Sequence, residues 1–164
     1  MNDLEIKRYL KDMKILSSCD GIFCIDEFKT DLKTGHFIIL NNLKKENFEK
    51  NGKNIPGHWT ALLGGKRFDD PKSLVYFDPL GSLPQNLNFV KHLISCKKEI
   101  FYNNYSVQSL FSELCGLHVL YVVYQWMHGL SVDEILLWKY NIQSNYEFFN
   151  DNIVKTFIEN INHG

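Results

Sequence analysis

The chain has 164 residues, 45% hydrophobic and 23% charged, with 18 Lys+Arg against 19 Asp+Glu for a formal net charge of -1. That balance describes one folded domain over 1–164. It counts against a disordered chain, which lacks this much apolar character, and against a general nucleic-acid binder, which carries a basic excess. No apolar run reaches the roughly 18 to 20 residues that cross a bilayer, and the opening MNDLEIKRYLKDMK has no signal-peptide core, so an intracellular, non-secreted protein without membrane contact is expected. Cys19, Cys24, Cys96 and Cys115 are too sparse for a disulfide scaffold and are read as free thiols.

Asp3 to Lys14 carries Leu4, Tyr9, Leu10 and Met13 at helical spacing behind an Asn2 or Asp3 cap. Four apolar runs of strand length follow, Gly21–Ile25, His36–Leu40, Trp59–Leu63 and Leu74–Phe77, each bounded by turn residues. Residues 85–96 predict an amphipathic helix with Leu87, Val90, Leu93 and Ile94 on one face, and Glu99–Tyr102 a further strand. From Ser112 to Met127 apolar residues cover every face, which predicts a helix buried all round and stopped by Gly129. Ser131 then caps a short helix, and residues 145–160 form a last amphipathic one. The fold class is α+β, a central mixed sheet flanked by helices.

Four places hold the residue types of a thiol hydrolase. His58 stands in GHWT at the mouth of a strand, and Asp78 in YFDPLG at the end of another. Taken singly, a histidine is more often structural, and Asp before Pro is usually turn chemistry. Together they gain meaning, because GGKRFDDPK between the two strands reads as a hairpin loop. If partner numbers sum to about 136, His58 faces Asp78 directly on one side of the sheet. A carboxylate bound to one imidazole nitrogen fixes the tautomer and frees the other as a base.

Cys115 in SELCGLHVLYVV falls in the first turn of the buried helix if Ser112 is the cap, and backbone N–H groups there stabilise a thiolate. Gly116 leaves room beside it for a substrate carbonyl. Gln108, on the loop before that helix, could add a side-chain N–H to the Cys115 backbone N–H as a two-donor oxyanion hole. Cys19, Cys24 and Cys96 read as structural thiols. No metal is expected: Cys19 and Cys24 with His36 lack a second ligand pair at zinc spacing, and the six histidines, scattered along the chain, form no ligand array. The stretch Lys44–Lys53, its lysines interleaved with Glu, reads as a solvated loop.

In chain order, His58-Trp59, Asp78 in FDPLG, Gln108 and Cys115-Gly116-Leu117 resemble the adenovirus maturation protease (adenain-like) family, within the larger group of cysteine peptidases that includes the SUMO proteases. The resemblance covers roughly residues 55–124, with a looser match through IKRYLKDM and GIFCIDEF. It implies an adenain-like fold with the nucleophile at the N-terminus of a buried helix, and a protease with Cys115 as nucleophile, His58 as base, Asp78 orienting it and Gln108 in the oxyanion hole. It also implies cleavage after glycine in Gly-Gly or Gly-X-Gly sites of viral capsid or core precursors, in a host nucleus or a virion. The chemistry needs no cofactor. An activating peptide and DNA are family features: Cys96 is then a candidate for the peptide disulfide, while the net charge of -1 counts against general DNA attraction. Asp78 stands where the adenoviral proteins usually have Glu, as in the cellular relatives. Two other uses of the same residues are a deubiquitinase or deSUMOylase and a catalytically silent module that grips Gly-rich tails.

Overall fold

Three central strands buried on both faces organise the molecule. The computed structural model describes residues 1–28, 31–46, 57–140 and 147–163. In chain order these form α1 (Asp3–Asp12), a 3-10 turn (Leu16–Ser18), β1 (Cys19–Cys24), β2 (Phe37–Asn41), β3 (Trp59–Leu63), β4 (Ser73–Phe77), α2 (Leu87–Ser95), β5 (Glu99–Tyr102), α3 (Cys115–Met127), α4 (Val132–Glu134) continuing into a wide π-helical stretch (Ile135–Lys139), and α5 (Glu147–His163). The five strands make one sheet in the order β1-β2-β3-β4-β5. Its centre is antiparallel, and both outer pairs, β1 with β2 and β4 with β5, are parallel. The fold is α+β with a mixed sheet. Among the described residues no helix is long and apolar enough to cross a membrane.

Every residue of β2, β3 and β4 is buried, which requires a cover on both faces. Phe37, Ile39, Trp59, Ala61, Leu63, Val75 and Phe77 point to one side and join Ile6, Leu10, Val119, Val122, Val123 and Trp126 of α1 and α3. The intervening Ile38, Leu40, Leu62, Leu74 and Tyr76 point to the other and join Phe28, Leu32, Phe89 and Leu93. The α3 and α2 helices therefore lie on opposite faces.

Capping chemistry sets several helix ends. Asn2 and Glu5 form a reciprocal box at α1, Ser131 and Glu134 another at α4, and the Asn86 side chain accepts from Phe89 N–H at α2. Gly129, at φ +97°, follows α3 in the left-handed region. Of the expected α1 stripe Leu10 and Met13 are buried and Tyr9 packs against the core, whereas Leu4 is exposed and Ile6, not in that stripe, is fully buried. On α2, Leu87 and Ile94 are likewise exposed, and Phe89 with Leu93 fills the core. In both helices the sheet lies slightly to one side of the expected stripe, so Leu10, Met13 and Leu93 stay in the core while Ile6 and Phe89 take the place of Leu4 and Leu87. The expected Lys44–Lys53 loop falls mostly outside the described residues, as does the start of the 145–160 segment.

The β3–β4 register also differs from expectation. Ala61 pairs with Phe77, Leu62 with Tyr76 and Leu63 with Val75, two residues from the predicted alignment. A shift of two keeps every side chain on its own face, whereas a shift of one would have moved His58 and Asp78 to opposite faces. The two are thus diagonal neighbours just beyond paired strands, still within side-chain reach.

Candidate active site

His58 and Asp78 each sit one residue outside a strand, where the backbone leaves the ladder and the side chain gains room. The His58 backbone is held by Asn42: its N–H donates to Asn42 Oδ1 at 2.8 Å and its carbonyl accepts from Asn42 N–H at 3.0 Å. Asp78 is held by Asn103, whose Oδ1 accepts from Asp78 N–H at 2.9 Å and whose Nδ2 donates to Asp78 O at 2.6 Å. Asp78 Oδ1 also accepts from Leu80 N–H at 2.8 Å, closing the DPLG turn. Gly81 completes that turn at φ +71°, and a Cβ there would stand 2.7 Å from the Tyr105 carbonyl oxygen, so only glycine fits.

These supports bring His58 Nε2 to 2.5 Å from Asp78 Oδ1, with side-chain exposures of 18% and 4%. Nε2–H donates to the carboxylate, which leaves Nδ1 unengaged by Asp78. Burial by itself lowers the His58 pKa, but the hydrogen bond to Asp78, then that to Cys115, outweigh it and raise it to about 9. Cys115 shows the mirror effect: burial opposes its thiolate, yet His58 and the backbone N–H groups of Trp59 and Gly116 together hold it below the ordinary thiol value. Imidazolium and thiolate stabilise one another here. The other thiols differ, since burial raises Cys19 and Cys24 to about 11 and also raises Cys96.

Cys115 is the first residue of α3 rather than part of a turn capped by Ser112. The cap position is Leu114, with no side-chain hydrogen bond, so the first N–H groups of the helix have no side-chain acceptor. Gly116 is also more crowded than expected, because a Cβ on it would meet Met1 Sδ at 2.7 Å and Trp59 Cδ1 at 3.4 Å. Met1 is held there by the Trp59 indole, whose Nε1–H donates to the Met1 carbonyl at 3.0 Å. Against His58 opens a cavity of about 440 Å³, lined also by Ile25, Asn42, Tyr76, Asp78, Leu80 and Pro84 among others.

Gln108 is buried on the loop that docks against the DPLG turn through Val107 N–H and Gln108 N–H, both donating to Pro79 O. Its Nε2 donates to Ser112 O at 2.6 Å, and its Oε1 is buried without a partner. The second Nε2 hydrogen remains for another acceptor.

The structure thus brings His58 and Asp78 into hydrogen-bond contact, sets Cys115 near enough to His58 for each to shift the other's ionisation, and puts Gln108 on the segment leading to Cys115. Sequence reasoning missed Asn103, whose only signal was a polar pair after a strand, and His118. One turn after Cys115, His118 is fully buried, with Nε2 2.8 Å from Asp151 Oδ1 and Nδ1 3.1 Å from Tyr140 Oη. It joins α3 to α5 and does not enter the candidate site. No family model matches the chain, and no curated protein matches it.

Proposed function

We propose that the chain is a cysteine endopeptidase of the adenain-like type, working on Gly-Gly or Gly-X-Gly sites in structural precursors of a virus or virus-like element. The observation that carries this reading is the chain from Cys115 through the His58 imidazole to Asp78, with the thiol held below and the imidazole above their ordinary values. Its order along the sequence, His, acid, Gln, Cys with the cysteine opening a buried helix, supports the same family.

The Cys115 thiolate attacks the scissile carbonyl carbon, and the carbonyl π electrons move to oxygen. That oxyanion meets the Cys115 backbone N–H and the remaining Gln108 Nε2–H. Collapse breaks the C–N bond as His58 gives its proton to the leaving amine, so a thioester remains on Cys115. His58, now neutral, takes a proton from water. The hydroxide adds to the thioester, and collapse releases the acid while Cys115 returns to the thiolate and His58 to imidazolium. Asp78 keeps Nε2 protonated throughout and aims Nδ1 at the reacting atoms.

The test is mass-spectrometric cleavage of Gly-Gly and Gly-X-Gly peptides together with ubiquitin and SUMO precursors, by the chain and by Cys115→Ala. Peptide cleavage lost in the variant supports precursor processing. Cleavage confined to ubiquitin-like precursors moves the assignment to modifier removal. No cleavage, with or without added DNA and basic activator peptides, and no adduct of an electrophilic substrate analogue on Cys115, would overturn the enzyme reading in favour of a silent module for Gly-rich tails.

A further inference from the structure

On the sheet face opposite α3, three side chains of metal-ligating type converge. Asp31 lies on the crossover from β1 to β2, His92 on α2, and Cys96 at the C-cap of that helix. Asp31, His92 and Cys96 each offer a ligand atom, and these atoms all lie within 4.8 Å of one another. Cys96 Sγ is 3.6 Å from Asp31 Oδ1, and His92 Nε2 is 3.9 Å from the same oxygen. His92 and Cys96 share a helix face because they are four residues apart.

Ordinary contacts account for the cluster only in part: the Cys96 thiol has the His92 carbonyl as an acceptor at 3.3 Å, but the imidazole nitrogen beside it has none. His92 Nε2 is buried and has no hydrogen-bond partner, which a nitrogen facing a carboxylate and a thiol should not lack. At 3.9 Å, with Asp31 88% exposed, the His92–Asp31 pair is a weak ion pair at best. The His92 ring is nevertheless held in one orientation by Phe28, edge to face at 5.0 Å between centroids. Tetrahedral zinc, bound through sulfur at about 2.3 Å and through nitrogen and oxygen at about 2.0 to 2.2 Å, separates its ligands by roughly 3.3 to 3.7 Å. The two spacings to Asp31 need only a few tenths of an ångström of closure, and the third, within 4.8 Å, needs at most about 1 Å, within reach of side-chain rotation.

We propose that Asp31, His92 and Cys96 form a zinc site that clips the β1–β2 crossover to α2, with water in the fourth position. One sulfur, one imidazole nitrogen and one carboxylate suit a borderline-soft divalent ion, whereas calcium and magnesium would require oxygen ligands. Binding releases the Cys96 thiol proton, so affinity rises with pH. The clip has a consequence for the candidate active site without depending on the proposed function. The cavity beside His58 takes Ile25 from the crossover and Pro84, Gln85 and Asn86 from the run into α2, and the metal would tie those two walls together. A metal on Cys96 and a disulfide to a peptide at the same sulfur are mutually exclusive.

The experiment titrates cobalt(II), then zinc(II), into the full chain carrying Cys115→Ala, which removes the competing thiol beside His58. The expected result is one equivalent of cobalt with a sulfur-to-cobalt charge-transfer absorption, displaced by zinc, and a zinc-dependent rise in Tm. Adding Cys96→Ser should abolish the absorption. Asp31→Asn, at an exposed position that leaves the core untouched, should weaken cobalt binding at least about tenfold, since even loss of a partner behind a ligand costs that much. No charge-transfer absorption at excess cobalt, or an absorption that persists in the Cys96→Ser chain, overturns the proposal. So does unchanged affinity in Asp31→Asn.

Discussion

Asp78→Asn tests the electrostatics of the site with little change of shape. Asparagine keeps an Oδ1 acceptor for Leu80 N–H and for His58 Nε2–H, and the clamp from Asn103 acts on the backbone, so the DPLG turn persists. What disappears is one negative charge against the imidazolium. Both side chains are mostly buried, and unit charges about 4 Å apart at an effective dielectric of about 20 interact by about 4 kcal/mol. That corresponds to about 3 pKa units, and to a shift of about 10³ from thiolate–imidazolium toward neutral thiol and imidazole. His58, raised to about 9 in the intact chain, would fall to about 6. The assay is the rate of Cys115 alkylation by iodoacetamide against pH, with the modified residue identified by peptide mapping. In the intact chain the rate should rise with a midpoint below the free-thiol value of about 8.5, and in Asp78→Asn the midpoint should move up toward it. Superimposable profiles would refute the claim that Asp78 sustains the ion pair and would leave it a turn residue.

Gln108→Ala should lower peptide turnover by about 10² or more while leaving Cys115 alkylation unchanged, because it removes an oxyanion donor but not the thiolate; equal turnover would remove Gln108 from the mechanism. His118→Ala should destabilise the fold by about 3 to 5 kcal/mol in urea unfolding, since it leaves the Asp151 carboxylate and the Tyr140 hydroxyl buried and unpaired; a loss near zero would contradict that account. Burial keeps His118 below its ordinary value despite Asp151, so between that lowered value and about 6.5 the unfolded chain binds the extra proton. His118 should therefore make Tm fall as pH drops below about 6.5, and a Tm flat through that range would exclude it as the acid-sensitive group. Gly116→Ala should require the Met1 side chain to move, with alkylation of Cys115 changing alongside; unchanged rates would show that Met1 yields without effect.

Strand positions were legible because β-branched and aromatic runs in this chain end abruptly at Gly, Asp and Asn, as at Trp59–Leu63 and Ser73–Phe77. The buried character of α3 was legible for a related reason: Val119, Leu120, Val122 and Val123 leave no polar face. The stripes of α1 and α2 were legible only in part, through Leu10, Met13 and Leu93, because only the position of the sheet decides between Leu4 and Ile6, or between Leu87 and Phe89. The register of β3 on β4 lay beyond local signals too, since a loop of given length permits alignments that differ by two. The site survived that error because side-chain parity, not the exact partner, determines which face carries His58 and Asp78.

The supporting groups around the candidate site show why its chemistry is only half visible in a linear sequence. A thiol, an imidazole and a carboxylate announce themselves by type, but their ionisation depends on neighbours that look ordinary. Asn103 reads as a loop asparagine, yet its two hydrogen bonds hold the Asp78 backbone and so set where the carboxylate meets His58. The backbone N–H of Trp59 reads as a strand amide, yet it helps keep Cys115 below its ordinary value. Even His92 and Cys96 carried a spacing of four that places them on one helix face, and what was missing was Asp31, 65 residues before Cys96 and brought near only by the crossover. Groups that generate a field are recognisable from residue type alone, whereas groups that receive it become recognisable only once the sheet has brought distant segments together.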